Sequence, residues 1–440
     1  MGKYKLSQFL ICTQIKSEHI LFSTFSGKSI LLNKENYKHF VNLDLEYLDN
    51  TLLSKLKEYQ ILVPIEKDET AEVIDNNKEK IKETTTLYQT IMPTSSCQLG
   101  CFYCGQEHSG IKMSNDTMKN VLKEIETKLI ANKNYEHIQV GWFGAEPLLA
   151  INQIISLTNK IIELCVKYNT TYSAQMPTNG MLLTQSNLKI LSDCYVSTLD
   201  VTLDGLKETH DNSRYTKGKK GSFDKIVSNL KSLLELENFD SYDCEVTIRV
   251  NVHKDNFNDV IPLFDYLNEL GFFPKYSFYL APVHSWGNDA HKQQEDMIKF
   301  SELEMIIIQK LIEIGVEPAI IPDRNYEVCA VVNENSNIID PTGNVYSCTE
   351  IPLVPSYNQS EFIIGNVNNN ATKRVKNRPF GNWNDLIKSR KSQSGCHDCH
   401  VLPICGGACP KSWAEGISPC PSFKFNIEER VALAYGQIKT

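Results

Sequence analysis

The sequence predicts an α/β protein: six strand–helix units in the middle of the chain, a small α+β module before them and a loop-rich, cysteine-dense region after them. Between about residue 86 and residue 315, short β-rich runs alternate with longer runs of helical spacing, the pattern of a parallel sheet with crossover helices. Beyond about residue 316 the periodicity fades and cysteines become dense, as in a domain of loops held by metal. The 440 residues, 41% of them hydrophobic, suffice for two or three domains, with expected bounds 1–85, 86–315 and 316–440.

In the first region HILFSTFSGKSILLNKENYKHF reads as a hairpin followed by a helix, and TLLSKLKEYQILVP as a helix followed by a strand. Residues 66–85, EKDETAEVIDNNKEKIKETT, form a charged run without glycine, read as a solvated helix or linker. The six strands expected are TLYQTIM (86–92), HIQVGWF (137–143), YSAQMPT (172–178), VSTLDVTL (196–203), CEVTIRVNV (244–252) and YSFYLAP (276–282). After the first, Met118, Val121, Leu122, Ile125 and Leu129 recur at helical spacing behind Ser114 and Asn115 as caps. After the fourth, Phe223, Ile226, Val227, Leu230 and Leu233 share one helical face. Such units curl into an open partial barrel or lie flat as a doubly wound sheet, and periodicity does not choose between them. In both, a ligand site belongs at the carboxyl ends of the strands.

The formal charge of −8 favours neither nucleic acid nor an anionic membrane as partner; a basic peptide suits it better. The start, MGKYKLSQFLIC, has no signal-peptide pattern, and no segment approaches the roughly 20 apolar residues of a spanning helix, so the cytoplasm is the expected location. In that reducing compartment fourteen cysteines point to metal or redox ligation rather than disulfides. Ten of them fall in two groups, 97–104 and 329–420, whereas Cys12, Cys165, Cys194 and Cys244 read as small buried hydrophobes.

The first group, CQLGCFYC, follows the first strand directly, so Cys97, Cys101 and Cys104 belong at the carboxyl end of the sheet. Three thiolates suit a zinc site completed by His108, or an iron–sulfur cluster that leaves one iron without a protein ligand. Three more turns follow the next strands: FGAEP (143–147), TNGMLL (178–183) and TLDGLKETHDNSR (202–214). With these four turns in this order, the chain resembles the radical S-adenosylmethionine enzymes, with Ala145 in place of the second glycine of their Gly-Gly-Glu-Pro turn.

The resemblance implies a partial (β/α)6 TIM-like barrel and a 4Fe–4S cluster on Cys97, Cys101 and Cys104 whose open iron is chelated by S-adenosylmethionine. One electron from that cluster then yields a 5′-deoxyadenosyl radical able to take hydrogen from carbon. It also implies that Tyr103 lies against the adenine, that the Gly144–Ala145–Glu146 turn holds the methionyl amine, that Thr202 bonds the ribose or carboxylate, and that Arg214 pairs with the carboxylate. Asp204 and His210 would orient the loop.

The second group reads Cys329, Gly343, Cys348, Cys396-x2-Cys399-x5-Cys405-x3-Cys409 and Cys420, one thiol short of two four-cysteine zinc sites. It resembles the seven-cysteine SPASM extension of peptide-modifying radical enzymes, which implies two auxiliary 4Fe–4S clusters and three clusters in all. By that resemblance Cys396, Cys399, Cys405 and Cys420 hold the distal cluster. Cys329, Cys348 and Cys409 hold the one nearer the active site, whose fourth position is open or taken by a non-cysteine ligand.

Auxiliary clusters suit a reaction in which the substrate radical gives up an electron. The expectation is therefore a maturase acting on a ribosomally made precursor peptide and forming an intramolecular cross-link (thioether, C–C or C–O). The alternative is an anaerobic sulfatase-maturating enzyme that makes formylglycine, and a remote one is a metal-binding peptide scaffold without turnover. In the sulfatase maturases an aspartate proposed as base follows the cysteine equivalent to Cys348; here Thr349 and Glu350 follow, making Glu350 the candidate base. Expected partners are a precursor peptide whose leader docks on the N-terminal module, and a ferredoxin- or flavodoxin-type electron donor. In PVHSWGNDAH (282–291), His284, Trp286 and His291 read as loop residues rather than catalytic ones.

Overall fold

In this computed structural model, residues 4–237, 239–369, 378–391 and 394–438 are described, so the outer ends of the expected first and third regions lie outside the described residues. After β1 (Tyr4–Leu6), the strands β2 (Leu10–Ile15), β3 (Glu18–Ser23) and β4 (Ser29–Leu32) form an antiparallel sheet in the order β2-β3-β4. Alternation gives this sheet two apolar faces. Leu21 and Leu32 pack with Phe40 of α1 (Lys34–Asn42) and with Leu52 and Leu56 of α2 (Asn50–Glu58). Ile11, Ile20 and Phe22 pack instead on Val401, Ile404, Ile427 and Val431 of the C-terminal region. Strand β5 (Leu62–Pro64) then returns to pair with β1.

The charged run becomes helix α3 (Glu69–Glu83), capped by the Asp68 side chain, which accepts from the Ala71 N–H. It is docked rather than solvated: Val73 and Ile74 are fully buried against Trp383 and Ile387. Two adjacent apolar residues among the charges give it one buried stripe.

The parallel strands β6 (Thr86–Ile91), β7 (His137–Trp142), β8 (Thr171–Thr178), β9 (Val196–Thr202), β10 (Glu245–Val252) and β11 (Ser277–Pro282) are neighbours in chain order. Each bound lies within a residue of the run predicted for it. The crossover helices are α4 (Asn115–Ala131), α5 (Ile151–Tyr168), α6 (Gln185–Asp193), α7 (Lys207–Ser213) with α8 (Phe223–Leu234), and α9 (Val260–Glu269); α10 (Met297–Glu313) follows β11. Ser114 caps α4, its side chain accepting from the Thr117 N–H at 3.1 Å. Residues 147–168 are long and apolar enough to cross a membrane, but Ile154, Leu157 and Ile161 of α5 are buried in the core of this domain.

Strands β6 and β11 are not paired with each other, so the sheet stays open. Residues of all six strands or of the loops after them nevertheless line one cavity, which only a curved sheet allows. This is a partial barrel rather than a flat doubly wound sheet. Beyond β6 the sheet runs on into the C-terminal region: β12 (Asn337–Ile339) pairs parallel with β6, and β13 (Asn344–Tyr346) follows antiparallel. After α11 (Gln359–Phe362), β14 (Gly365–Asn366) completes the edge, followed by α12 (Trp383–Lys388), α13 (Leu402–Cys405), α14 (Pro410–Ala414) and α15 (Phe423–Ile438).

Candidate active site

The cavity at the carboxyl ends of β6 to β11 has a volume of about 250 Å³. Cys97, Cys101, Tyr103 and Cys104 line it from the loop after β6, Gly144 and Ala145 after β7, and Pro177, Thr178 and Asn179 at the end of β8. Thr202, Arg249 and Asn251 line it from β9 and β10, and Val283, His284 and Trp286 after β11. Thr349 and Glu350 close it from the C-terminal region.

Tyr103 is the hub of the site. Its hydroxyl donates to an Asp204 carboxylate oxygen at 2.5 Å and accepts from the Asn251 amide at 3.0 Å and from the Arg214 guanidinium. Asp204 also accepts from the Asn251 N–H at 2.8 Å and lies 3.7 Å from Arg214. Behind it, His210 Nδ1 accepts from the Asp204 N–H at 3.0 Å. His210 Nε2 faces Ser222 Oγ at 3.0 Å, and that hydroxyl donates to the Arg214 carbonyl at 2.6 Å. This chain of donors sets the Nε2–H tautomer. Burial, and then the Arg214 charge, hold the His210 pKa well below its ordinary value.

Glu146 sits behind the cavity surface. One carboxylate oxygen accepts from the Asn179 N–H at 2.8 Å, and the other from Thr178 Oγ1 at 2.8 Å and the Leu148 N–H at 3.0 Å, while its own N–H donates to the Ser96 carbonyl. Burial raises its pKa against these bonds. Glu146 thus braces the turns after β7 and β8, and the face this turn offers to a ligand is Gly144 and Ala145. Gly144 has φ +107°, and a Cβ there would stand 2.9 Å from the Thr94 carbonyl.

These residues fit S-adenosylmethionine. Arg214 is 6% exposed, and its buried Nε–H has no partner, a donor suited to a carboxylate. Tyr103, Gly144, Ala145 and Thr202 line the same cavity.

The segment after β11 threads between the first cysteine loop and the C-terminal region. Trp286 donates its indole N–H to the Glu350 carbonyl at 3.0 Å, and the Asn288 amide donates to the Tyr103 carbonyl at 3.0 Å. A Cβ at Gly105 would stand 1.7 Å from the Trp286 carbonyl oxygen, so only glycine passes there. His284 Nε2 lies beside the Glu350 carboxylate. Burial would raise the Glu350 pKa, but His284 and then Lys411 and Arg249 hold it below the ordinary glutamate value. His284 and Trp286 therefore face the cavity, whereas His291 does not and turns its Nδ1 toward the Asn288 carbonyl at 3.3 Å.

The remaining thiols gather in two places. Cys396, Cys399, Cys405 and Cys420 line one void of about 10 Å³ with Trp413 and Lys424, whose ammonium lies 3.3 Å from Cys420 Sγ. Cys409 lies close enough to Cys329 and Cys348 to act on the ionisation of both, and Glu350 acts on both Cys348 and Cys104. Burial pushes Cys97 and Cys405 up to about 12 and Cys104, Cys329 and Cys396 up to about 11, so the bare thiols hold their protons until a metal takes the charge. Among the described residues no three His, Cys, Asp or Glu side chains converge tightly enough to share one ion. The N-terminal module grips the loop of the four-thiol site: Thr70 Oγ1 donates to the His397 carbonyl and Thr24 Oγ1 to the His400 carbonyl, both at 2.6 Å.

Sequence reasoning missed Arg249 and Asn251. Their signal lies in EVTIRVNV: Val246, Ile248, Val250 and Val252 are fully buried, while Thr247, Arg249 and Asn251 alternate with them on the other face. Polar residues at every second position of a central strand mark a lumen.

Residues 91–267 match the Radical SAM superfamily. A cysteine-type anaerobic sulfatase-maturating enzyme of Clostridium novyi (strain NT) is 25% identical over 383 residues, 79% of this chain and 96% of the relative. The structure of anSMEcpe with bound AdoMet superposes with a TM-score of 0.59 at 18% identity, covering 80% of this chain and 99% of that one. Streptococcus suis SuiB bound to the precursor peptide SuiA gives a TM-score of 0.52 at 16% identity, covering 95% and 98%.

Proposed function

We propose, from the premise that residues 91–267 are the radical SAM domain of an enzyme, that this protein matures a ribosomally made precursor peptide by an oxidative cross-link. The observation that carries the reading is the position of Glu350, which lines the cavity together with Cys104 and follows Cys348 by two residues. The cluster and S-adenosylmethionine, when bound, supply a radical that takes hydrogen from a carbon of the substrate.

This chain's own residues do the rest. Arg214, Thr202 and the Gly144–Ala145 turn hold the cofactor, and Tyr103 is fixed by Asp204 and Asn251 to face it. Trp286, Val283 and the Glu350 segment exclude water. Glu350 accepts the proton released as the substrate is oxidised, and the nearby Cys329, Cys348 and Cys409 would hold a cluster able to take up the electron. The four thiols of Cys396, Cys399, Cys405 and Cys420 hold a second auxiliary cluster, giving three.

A leader peptide has a place to dock. Strand β4 is an edge of its sheet, while the β2 side packs on α15. Ser23 and Lys28 are hydrogen-bonded partners, so by alternation Ser29 and Leu31 turn their N–H and C=O groups outward. The fold likeness to peptide-bound SuiB spans 95% of the chain, which supports the same reading.

Formylglycine formation is a second reading, favoured by a sulfatase maturase whose match covers 96% of its own length. Anaerobic reconstitution, followed by assay for 5′-deoxyadenosine, tests the radical chemistry. Co-expression with small peptides encoded beside the gene, followed by mass spectrometry, separates the two products. Loss of two hydrogens per modification supports a cross-link, whereas a new carbonyl that reacts with a hydrazide supports formylglycine.

A further inference from the structure

The outer side of the first cysteine loop carries a feature that the cavity does not use. Residues 98–102 run antiparallel to residues 213–217: the Phe102 N–H donates to the Ser213 carbonyl at 3.2 Å, the Gly100 N–H to Tyr215 at 2.9 Å, and the Lys217 N–H to Gln98 at 2.9 Å. One end of this ladder presents Phe102, a neighbour of Cys101 in the chain and 37% exposed. Its ring borders a shallow concavity formed by Thr209, Asn212, Ser213, Asp255 and Gln293. The other end is the turn 217–220, KGKK, with all three lysines exposed.

None of these lysines has an ion-pair partner among the described residues; Lys219 only lies over the Tyr215 ring, 3.7 Å from its centre. The nearby Asp211 is already engaged, one oxygen accepting from the Ser222 and Phe223 N–H groups at 2.7 and 2.9 Å. Three such cations within four positions oppose the sign of a chain whose formal charge is −8. An exposed aromatic ring on the same ladder as a cluster of unpaired lysines is a docking surface in miniature, with Asp255 the one acid bordering the ring among the described lining residues.

We propose that this face docks an acidic one-electron carrier protein of the ferredoxin type. Carboxylates of the carrier meet Lys217, Lys219 and Lys220, and the rim of its redox centre seats against Phe102. The inference rests on reading the Cys97–Cys101–Cys104 loop as a cluster site. The inner side of that loop faces the cavity reserved for cofactor and substrate, so an electron must reach it from outside, and Phe102 is the short way in. In the step, the carrier's cluster loses one electron and the cluster of this loop gains it; no bond is made and no proton moves. Encounters of this kind need only a small interface steered by charge.

The test uses the reconstituted enzyme and a reduced 2Fe–2S ferredoxin as probe, with Lys217, Lys219 and Lys220 all replaced by Glu. Ferredoxin affinity at low salt is expected to fall by about tenfold or more, and 5′-deoxyadenosine formation at limiting ferredoxin to fall with it. With dithionite as reductant the variant is expected to match the parent. Added salt should weaken the parent complex and leave the variant's residual binding nearly unchanged. Unchanged ferredoxin affinity in the variant overturns the proposal. So does an equal loss with dithionite, or a loss of precursor-peptide affinity alone, which assigns the lysines to the peptide. A parent that binds ferredoxin in a lysine-dependent way yet makes no 5′-deoxyadenosine with either reductant defeats the cluster reading, and with it the electron transfer, while the docking surface stands.

Discussion

The Nε2 atom of His284 lies 3.2 Å from a carboxylate oxygen of Glu350, across 66 residues of chain. The pair joins the last barrel loop to the segment that follows Cys348, and it holds the acceptor where a substrate proton would be released. Glu350→Gln is expected to leave 5′-deoxyadenosine formation intact while peptide product falls by about 100-fold or more, the usual worth of a general base. His284→Gln, which keeps a hydrogen-bond donor, is expected to cost about tenfold or less. Parallel quantitation of both products by mass spectrometry decides it. An equal fall in both would place Glu350 in cofactor binding rather than in proton transfer.

Arg214→Lys is expected to weaken S-adenosylmethionine binding about as much as Arg214→Ala, by roughly 10- to 100-fold, because the loss is of a charge-assisted fork and not only of a charge. Equilibrium binding to the reconstituted enzyme measures it. Full affinity in the Lys variant would show that the buried Nε–H is not a cofactor donor.

His210 gives the site a defined response to acid. Its folded pKa lies below the unfolded value, so its contribution to stability is fully present above about pH 6.5 and is lost as pH falls from there toward the folded value. The slope is at most about 1.4 kcal/mol per pH unit. Protonating Nδ1 breaks the bond from the Asp204 N–H, and Asp204 is what aims Tyr103. Unfolding titrations of the parent and of His210→Gln between about pH 5 and 7 should converge toward the acid end. Parallel curves would remove His210 as the cause.

Thr24→Ala and Thr70→Ala each strip a buried donor from a carbonyl of the four-thiol loop, at a cost of about 1 to 3 kcal/mol. The expected result is faster loss of iron from that site under a chelator, with the spectrum of the Cys97–Cys101–Cys104 cluster unaltered. Equal lability at both sites would mean global unfolding.

Ser29→Pro removes an outward N–H from β4 without breaking its ladder to β3. Leader-peptide affinity is expected to fall about tenfold or more, with 5′-deoxyadenosine formation in the absence of peptide unchanged. Undiminished leader binding would make the module a structural cap.

The six strands were legible because they stand out as short β-branched and aromatic runs between helical spacings, and all six fell within a residue of their predicted bounds. The turns that line one side of the cavity were legible because FGAEP and TNGMLL follow those strands directly. The barrel wall formed by Arg249 and Asn251 was missed although Thr247, Arg249 and Asn251 alternate with four buried residues, because alternation marks a polar face without saying what that face lines. Helix α3 was read as solvated because its charges outnumber Val73 and Ile74, whose burying surface is supplied by α12 about 300 residues later. For the same reason Trp286 looked like an ordinary loop residue: its partners, Gly105 and Glu350, come from two other parts of the chain.

The apolar face of Ile11, Ile20 and Phe22 leaves the ribosome well before Val401, Ile404, Ile427 and Val431, which cover it. Throughout synthesis of the barrel that face stays wet, a hydrophobic patch awaiting its lid, with the aggregation hazard that such exposure brings. Cys396, Cys399, Cys405 and Cys420, the proposed ligands of one cluster, lie on the same late segment, so loading that cluster would accompany covering of the face. A nascent chain starved of iron would stall with that face uncovered.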